Sequence, residues 1–247
     1  MRKILLLCLV FSLAVLFIPG CGKQKAPWGG KPFYTVKKVA KGPAVDGILN
    51  DECWKSAPAI DFSVCVSGEK PKHPTSLRLL YDGKYLYAGF ECQDLDAAST
   101  VTAFDGPVTE QDHVSLYLDA GSDTTGYFVI DVSPTGAVHD AFVLHGGGNA
   151  ANKVLSCWNC EKLRASVSVY GGGAQPGTQD RFWTVEIAIP LSELVTAPQY
   201  PPEKGDRWRA DFFRTELSDG QELSAAVPTG ANDFHIPRRF GVITFGE

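Results

Sequence analysis

The sequence lacks the short motifs that carry the commonest catalytic chemistries. It contains no GxSxG nucleophile elbow, no HExxH zinc motif and no glycine-rich phosphate loop between a strand and a helix. The run Gly146-Gly147-Gly148 follows a strand-like segment, but the AANKV after it is a poor dinucleotide-binding helix. These absences predict that the chain is not an enzyme. Glu110 and Asp112 form a carboxylate pair, but a glycosidase requires two carboxyls placed across a cleft.

Residues that bind metals or carry redox chemistry are sparse. The only CxxC motif is Cys157–Cys160, with no second CxxC and no neighbouring His to complete a zinc set. We therefore expect a loop disulfide or two inert thiols there. The other cysteines predicted to remain in the mature domain are Cys53, Cys65 and Cys92. The five histidines are scattered singly, which favours surface or hydrogen-bonded roles over metal ligation: His73, His113, His139, His145 and His235.

Positive charge is also in short supply. The chain has 23 basic and 28 acidic residues, and removal of Arg2 and Lys3 with a signal peptide leaves a net charge of −7. An acidic chain argues against nucleic acid as a partner and against a polybasic membrane patch. Hydrophobic residues make up 44% of the sequence, which is enough for a packed core and argues against a disordered spacer.

One long apolar run is present, and it lies at the N-terminus. Ile4–Ile18 follows Arg2 and Lys3 and has the length and position of a signal-peptide hydrophobic region. Ile18, Pro19, Gly20 and Cys21 resemble the lipobox of bacterial lipoproteins, which implies cleavage before Cys21 and acylation of its thiol. We expect a lipoprotein signal peptide at 1–20, a flexible tether at 21–32 and one domain at 33–247. The alternatives are an uncleaved anchor helix or an ordinary signal peptide.

Period-2 patterns dominate the rest of the chain. Residues of alternating character, rich in β-branched and aromatic side chains, predict strands at 75–81, 85–92, 113–119, 127–133, 163–169, 183–189, 208–215 and 241–245. Helical patterns are confined to Asn50–Ser56 and Pro190–Leu194. The sequence predicts an all-β fold, an antiparallel β-sandwich with one or two short helices. Trp54, Trp183 and Trp208 are expected in its core.

The order of motifs resembles carbohydrate-binding module family 9. PAVDGILNDECW at 43–54, LRLLYDGKYLYAGFECQD, EQDHVSLYLD, TGYFVIDV, RFWTVEIAIPLSEL, GDRWRADFFRTE and the closing HIPRRFGVITF follow the order of that family. The resemblance covers roughly residues 35–247 and implies a jelly-roll-like sandwich that binds sugar without catalysis. A glycan or oligosaccharide is the implied partner, beside the membrane that a lipid on Cys21 would reach.

The resemblance also implies where a sugar would bind. The family type clamps sugar between two Trp, whose positions correspond to Thr109 and Phe234 here, and an Arg of its site corresponds to about Val129. Sugar rings need aromatic faces, and sugar hydroxyls need carboxylate and amide partners. The candidate ligand-binding residues are Phe234, Trp158, Asp131, Glu110, Arg214 and Asn232. Arg214 has an alternative role as a structural partner of Glu186 or Glu216.

Calcium is a further ligand that the resemblance implies. Asp94, Asp96, Asp119 and Asp123 lie at strand ends or turns, where oxygen ligands gather, and the alternative is that they are solvated turn acids.

Three functions stay open on the sequence. The first is a glycan-binding surface lipoprotein that supports polysaccharide degradation. The second is an envelope structural or protein-interaction domain. The third is a haem-binding sandwich, for which Met ligation is excluded because Met1 is the only methionine and leaves with the signal.

Overall fold

The chain is described by a computed structural model over residues 33–146, 151–174, 177, 179–218 and 220–247. These residues form fourteen strands and four 3-10 turns, with no α-helix among them, which confirms the all-β prediction. The predicted signal peptide, Cys21 and the tether at 21–32 lie outside the described residues. Within the part of the chain that is described, no helix is long and apolar enough to span a bilayer.

The fourteen strands include every predicted one, and the seven-residue β8 and several shorter strands were not predicted. They are β1 Tyr34–Lys38, β2 Ile60–Asp61, β3 Ser63–Val64, β4 Thr75–Tyr81, β5 Tyr85–Gln93, β6 His113–Asp119, β7 Gly126–Val132, β8 Val138–Leu144, β9 Lys153–Leu155, β10 Arg164–Tyr170, β11 Phe182–Pro190, β12 Arg207–Glu216, β13 Glu222–Ala225 and β14 Gly241–Phe245. The 3-10 turns are Glu52–Ser56, Val108–Glu110, Leu191–Glu193 and Pro237–Arg239. The two predicted helices are therefore single 3-10 turns.

The strands form two layers joined by β1. The first sheet has the order β10-β11-β5-β4, and the second has the order β14-β12-β6-β7-β8-β9. Tyr34–Val36 pair with β14, and Lys37 and Lys38 pair with β4, so β1 passes from one sheet to the other. Both pairings of β1 are parallel, whereas the strands within each layer pair antiparallel. The sandwich is confirmed, and β1 makes it a mixed rather than a purely antiparallel one.

The core lies between the two sheets and follows from the period of two. On β6, Val114, Leu116 and Leu118 point inward and are fully buried. Burial of each such aliphatic side chain contributes roughly 1.5–3 kcal/mol. Trp183 and Trp208 are also buried in this core, and Trp54 is buried in a smaller cluster on the outside of the first sheet, as expected.

The V-D-G motif is held by a buried carboxylate. Glu186 on β11 accepts hydrogen bonds from Trp54 Nε1 at 2.7 Å and from the backbone N–H groups of Asp46 and Gly47, each at 2.9 Å. Gly47 has φ +86°, and a Cβ there would lie 2.8 Å from the carbonyl carbon of Val167. Only glycine fits this turn, which explains the motif.

A second buried charge links the two sheets. Arg214 on β12 points inward with 1% of its side chain exposed. Its Nη2 donates to Asp94 Oδ2 at 2.7 Å and to Glu216, and its Nη1 donates to the carbonyl oxygen of Gln93 at 2.8 Å. Trp183 Nε1 also donates to Asp94 Oδ2, at 3.1 Å. Of the two structural partners predicted for Arg214, Glu216 is therefore confirmed and Glu186 is not.

Removal of the Arg214 guanidinium should be strongly destabilising. In Arg214→Met, Asp94 and Glu216 stay buried without their cation, which costs about 3–5 kcal/mol of the free energy of unfolding. Urea denaturation measures this loss. Lys55→Met is the matched control, because it removes an exposed pair with Glu52 and should leave the midpoint nearly unchanged. Equal midpoints for the two variants would contradict the role of Arg214.

Candidate functional site

On the second sheet, every other side chain along each strand points away from the core, and these side chains form what we call the outer face. Strand register places residues of four neighbouring strands side by side on it. Its members are Arg209, Asp211, Phe213 and Thr215 on β12, His113, Ser115, Tyr117 and Asp119 on β6, Tyr127, Val129 and Asp131 on β7, and His139, Ala141 and Val143 on β8.

Phe234 lies against the outer face. It belongs to the loop 229–240, which crosses this face between β13 and β14. Its ring stacks on Phe213, with centroids 4.1 Å apart and planes 15° apart, and meets Tyr117 edge-on at 6.2 Å. Tyr117 in turn stacks on Tyr127 at 5.7 Å. Phe234 is half-buried, so part of its ring remains for a ligand.

His235 ties the loop to the two tyrosines. Its Nδ1 is hydrogen bonded to the hydroxyl of Tyr127 at 2.7 Å, and its Nε2 lies 3.4 Å from the hydroxyl of Tyr117. Burial lowers the pKa of His235 more than the charge of Asp233 raises it, which favours the neutral imidazole. A neutral imidazole donates through one nitrogen and accepts through the other, so it can serve both hydroxyls.

Three buried side-chain oxygens on the outer face have no hydrogen-bond partner among the described residues, and two of them, on Ser115 and Asp131, are neighbours; the third is Oδ2 of Asp211. Ser115 and Asp131 are cross-strand neighbours on β6 and β7, with 0% and 1% of their surface exposed. Asp131 Oδ2 is hydrogen bonded to His139 Nδ1 at 2.9 Å, but Asp131 Oδ1 and Ser115 Oγ are unpartnered in the structure. Buried polar atoms are nearly always satisfied, so an unsatisfied adjacent pair marks a place for a ligand or solvent.

Other predicted residues lie around this pair. Glu110 is exposed and ends the 3-10 turn that packs against β7 and β8, and Asn232 is exposed two residues before Phe234. Val129, where the resemblance implies an Arg, lies on the outer face between Tyr117 and Ala141.

Trp158 and Arg214 do not share this face. Trp158 packs against Phe128, with ring centroids 4.8 Å apart, and Phe128 points into the core. Arg214 also points inward, because it alternates with Phe213 on β12. The structure therefore brings Phe234 and Asp131 together with Ser115, and places Trp158 and Arg214 on the other side of the second sheet.

Comparison with known proteins identifies the family. The model of the family described as "Carbohydrate family 9 binding domain-like" matches residues 45–246. The chain belongs to this family. The match spans most of the chain and confirms the resemblance that the motifs carried.

Solved structures of low sequence identity share the fold of this chain. A crystal structure of a proposed carbohydrate-binding protein from Bacteroides uniformis has a TM-score of 0.70 at 16% identity, covering 85% of this chain and 97% of that one. A family 9 module from Caldicellulosiruptor kristjanssonii in complex with cellotriose has a TM-score of 0.60 at 16% identity, covering 86% of this chain and 93% of that one. The same organism's module with glucose scores 0.58 at 17% identity, covering 88% and 97%.

The curated relative comes from Arthroderma benhamiae. It is named "Extracellular protein" and is 27% identical over 199 residues, covering 75% of this chain and 85% of the relative.

The four acids predicted as calcium ligands lie in two separate places in the family 9 domain. Asp119 lies at the end of β6. Asp94 is bound to Arg214 beside the start of the same strand, and β6 is about 20 Å long. Asp94 and Glu216 come within 4.8 Å of His73, but the Arg214 guanidinium already meets both carboxylates, so these groups do not fit a cation.

Asp119 and Asp123 fit the alternative to calcium binding, in which they are turn acids. Asp119 accepts hydrogen bonds from the backbone N–H groups of Asp123 and Thr124, and Asp123 accepts one from Thr125. Asp96 similarly accepts one from Gly177. These bonds support the turns themselves.

The cysteines and histidines behave as structural residues. The five described cysteines are unpaired, so no disulfide links Cys157 and Cys160 here. Burial raises the pKa of Cys160 to about 12, which makes it inert. Ring nitrogens of four histidines are hydrogen bonded, as expected: His113 to Gln111, His139 to Asp131, His145 to Asn152 and His235 to Tyr127.

Two open depressions lie away from the outer face. One, of about 590 Å³, is lined by Phe62, Lys70 and Gln93 among others, and one of about 860 Å³ is lined by Phe104, Leu163 and Arg164 among others. Neither includes Phe234 or Asp131. The candidate site is therefore identified by its chemistry, aromatic rings beside unsatisfied polar atoms, and not by cavity volume.

The pair of His139 and Asp131 should make stability depend on pH. The hydrogen bond to Asp131 raises the pKa of His139 despite its partial burial, and the charges of Asp105 and Asp140 also raise it. The pair contributes fully to the free energy of unfolding below about pH 6.5, the pKa of a histidine in the unfolded chain. This contribution is lost as the pH rises through the pKa of His139 in the folded protein. We expect the stability advantage of the wild type over His139→Asn to shrink from about pH 5.5 to about pH 8.5. Urea denaturation across this range checks it, and an advantage that grows with pH would contradict it.

Proposed function

We propose that this chain binds carbohydrate through the outer face of its second sheet, with Phe234 as the stacking platform and Asp131 and Ser115 as hydrogen-bonding partners. The observation that carries the proposal is that the half-buried Phe234 ring stacks on Phe213, whose cross-strand neighbours Ser115 and Asp131 hold a buried hydroxyl and a buried carboxylate oxygen without partners. Sugars present C–H faces that pack on aromatic rings and hydroxyls that need paired partners. The outer face offers both within neighbouring strands.

The family and the neighbouring structures support the same class of ligand. The Caldicellulosiruptor kristjanssonii modules were solved with cellotriose and with glucose. At 16–17% identity they share the fold. The ligand assignment for this chain therefore depends on its own outer-face residues.

Binding without hydrolysis fits the acids near the site. Glycosidases place two carboxyls on either side of the scissile bond, about 5–10 Å apart. Glu110 is exposed, but both oxygens of Asp112 accept backbone N–H groups, from Ala98 at 3.0 Å and from Leu217 at 2.7 Å. Asp112 is thus held as a structural acceptor, which favours a non-catalytic binding domain over the glycosidase alternative.

Export and anchoring complete the proposed role. The N-terminal segment carries a lipobox-like sequence that ends at Cys21, and the relative from Arthroderma benhamiae is named an extracellular protein. A binding domain without catalysis acts by holding its ligand in one place. We propose that a lipid on Cys21 holds this domain at the bacterial cell envelope, where it retains polysaccharide for degradation.

Truncation of Phe234 should weaken binding. Phe234→Ala removes the stacking platform, and loss of an aromatic contact of about 1.5 kcal/mol raises the dissociation constant about tenfold. A glycan array identifies a bound glycan, and isothermal titration calorimetry measures the change. Tyr200→Ala is the matched control, because Tyr200 is 60% exposed and lies outside the outer face. Unchanged affinity in Phe234→Ala would remove Phe234 from the site.

Replacement of Cys21 should release the protein from the membrane. Cys21→Ser removes the thiol that the lipid would occupy, so a processed and anchored protein should become an unprocessed precursor or a soluble protein. Fractionation of the producing cells and the mass of the N-terminal peptide report the change. An unmodified Cys21 in the wild-type protein would contradict the lipoprotein assignment.

A further inference from the structure

Asp131 is the carboxylate at the base of the candidate site, and one of its oxygens is hydrogen bonded while the other is not. Asp131 Oδ2 is bound by His139, while Asp131 Oδ1 has no donor and less than 1 Å² of exposed surface. His139 keeps 23% of its side chain exposed, so the carboxylate lies immediately beneath the surface. An acceptor-only atom of this kind requires a ligand that brings an N–H or O–H group.

A second carboxylate, that of Asp233, lies near the aromatic cluster that adjoins Asp131. Burial raises the pKa of Tyr117, and the charges of Asp131 and Asp233 raise it further, so both carboxylates act on the same aromatic cluster. In a site screened from water these charges attract a cation more strongly than they would in solvent.

Basic side chains are far from this position. Arg207 and Arg209, at the start of β12, are the only Lys or Arg at outer-face positions of β6, β7, β8 and β12. Arg209, the nearer of the two, lies two strands across and four residues along from Asp131, which is roughly 15 Å. Its Nη1 also donates to the carbonyl oxygen of Phe240 at 3.0 Å.

The histidines do not supply the positive charge that a Lys or Arg beside Asp131 Oδ1 would supply. Burial lowers the pKa of His235, which favours its neutral form. His139 can carry a proton, but it binds Oδ2 and leaves Oδ1 for the ligand.

From this arrangement, and resting on the proposed function, we infer that the preferred ligand is an amino sugar with a protonated amine, and that Asp131 is the residue that selects it. The amine donates to Asp131 Oδ1, a neighbouring hydroxyl of the sugar pairs with Ser115 Oγ, and the sugar ring packs on Phe234. Neutral sugars bind through the same positions with a weaker, uncharged hydrogen bond. Uronic acids are repelled by Asp131 and Asp233.

The test compares forms of one glycan that differ only in charge. A glycan array should carry each glycan backbone as the free amine, the N-acetylated amine, the neutral sugar and the uronate. Titration calorimetry of the full-length protein should then measure the affinity for the four forms of the backbone that binds most tightly on the array. We expect the free amine to bind about tenfold more tightly than its N-acetylated form, because charge-assisted hydrogen bonds are roughly twice as strong as neutral ones. The uronate should bind most weakly.

Three variants locate the selection at Asp131. Asp131→Asn keeps the shape but removes the charge, so the preference for the amine should fall to about twofold or less. His139→Asn keeps an N–H donor for Oδ2 but removes the competing proton, so the preference should be retained or increased. Asp61→Asn is the control, since Asp61 is an exposed aspartate paired with the first sheet, and thermal unfolding verifies that each variant folds.

The outcomes separate the two proposals. If no glycan of any form binds, the proposed function fails and the inference fails with it. If glycans bind but the neutral or N-acetylated form binds as tightly as the amine, the function stands and the inference is overturned. A preference for the amine that survives in Asp131→Asn would overturn the role of Asp131.

Discussion

The burial of the Arg214 guanidinium between the two sheets is the constraint on which the rest of the domain depends. The charge is stabilised in this position by Asp94, Glu216 and the carbonyl oxygen of Gln93, which accept hydrogen bonds from the two terminal nitrogens and come from the end of β5 and from β12 itself. The cluster therefore sets how the two layers meet at this end of the sandwich. It also engages Asp94, one of the four carboxylates that the sequence offered to calcium.

The same strand that buries Arg214 builds the binding face. Because side chains alternate along β12, an inward Arg214 requires an outward Phe213, and Phe213 is the ring on which Phe234 stacks. On β6 the same rule sends Leu116 to the core and Ser115 and Tyr117 to the outer face. The stability of the sandwich and the position of the candidate site are thus two results of one register.

The outer face combines side chains whose hydrogen bonds are made with side chains whose polar atoms lack a partner. Tyr117 and Tyr127 are joined through His235, which holds the loop 229–240 in place. Next to them, Ser115 Oγ and one oxygen of Asp131 are left without partners. Aromatic side chains and unmet polar atoms on one sheet face are the arrangement expected of a site that recognises a small polar ligand.

The sequence by itself determined the all-β class, most strand positions, the core tryptophans and the family, because period 2, turn residues and motif order are local properties. Alternation along β6 also puts His113, Ser115 and Tyr117 on one side of that strand, yet no local pattern says what covers that side. Only the tertiary structure decided that Phe234 meets Phe213, that His235 joins two tyrosines and that Trp158 and Arg214 lie inward. These facts depend on pairing between strands and loops that are distant in the chain, for which the sequence carries no periodic signal.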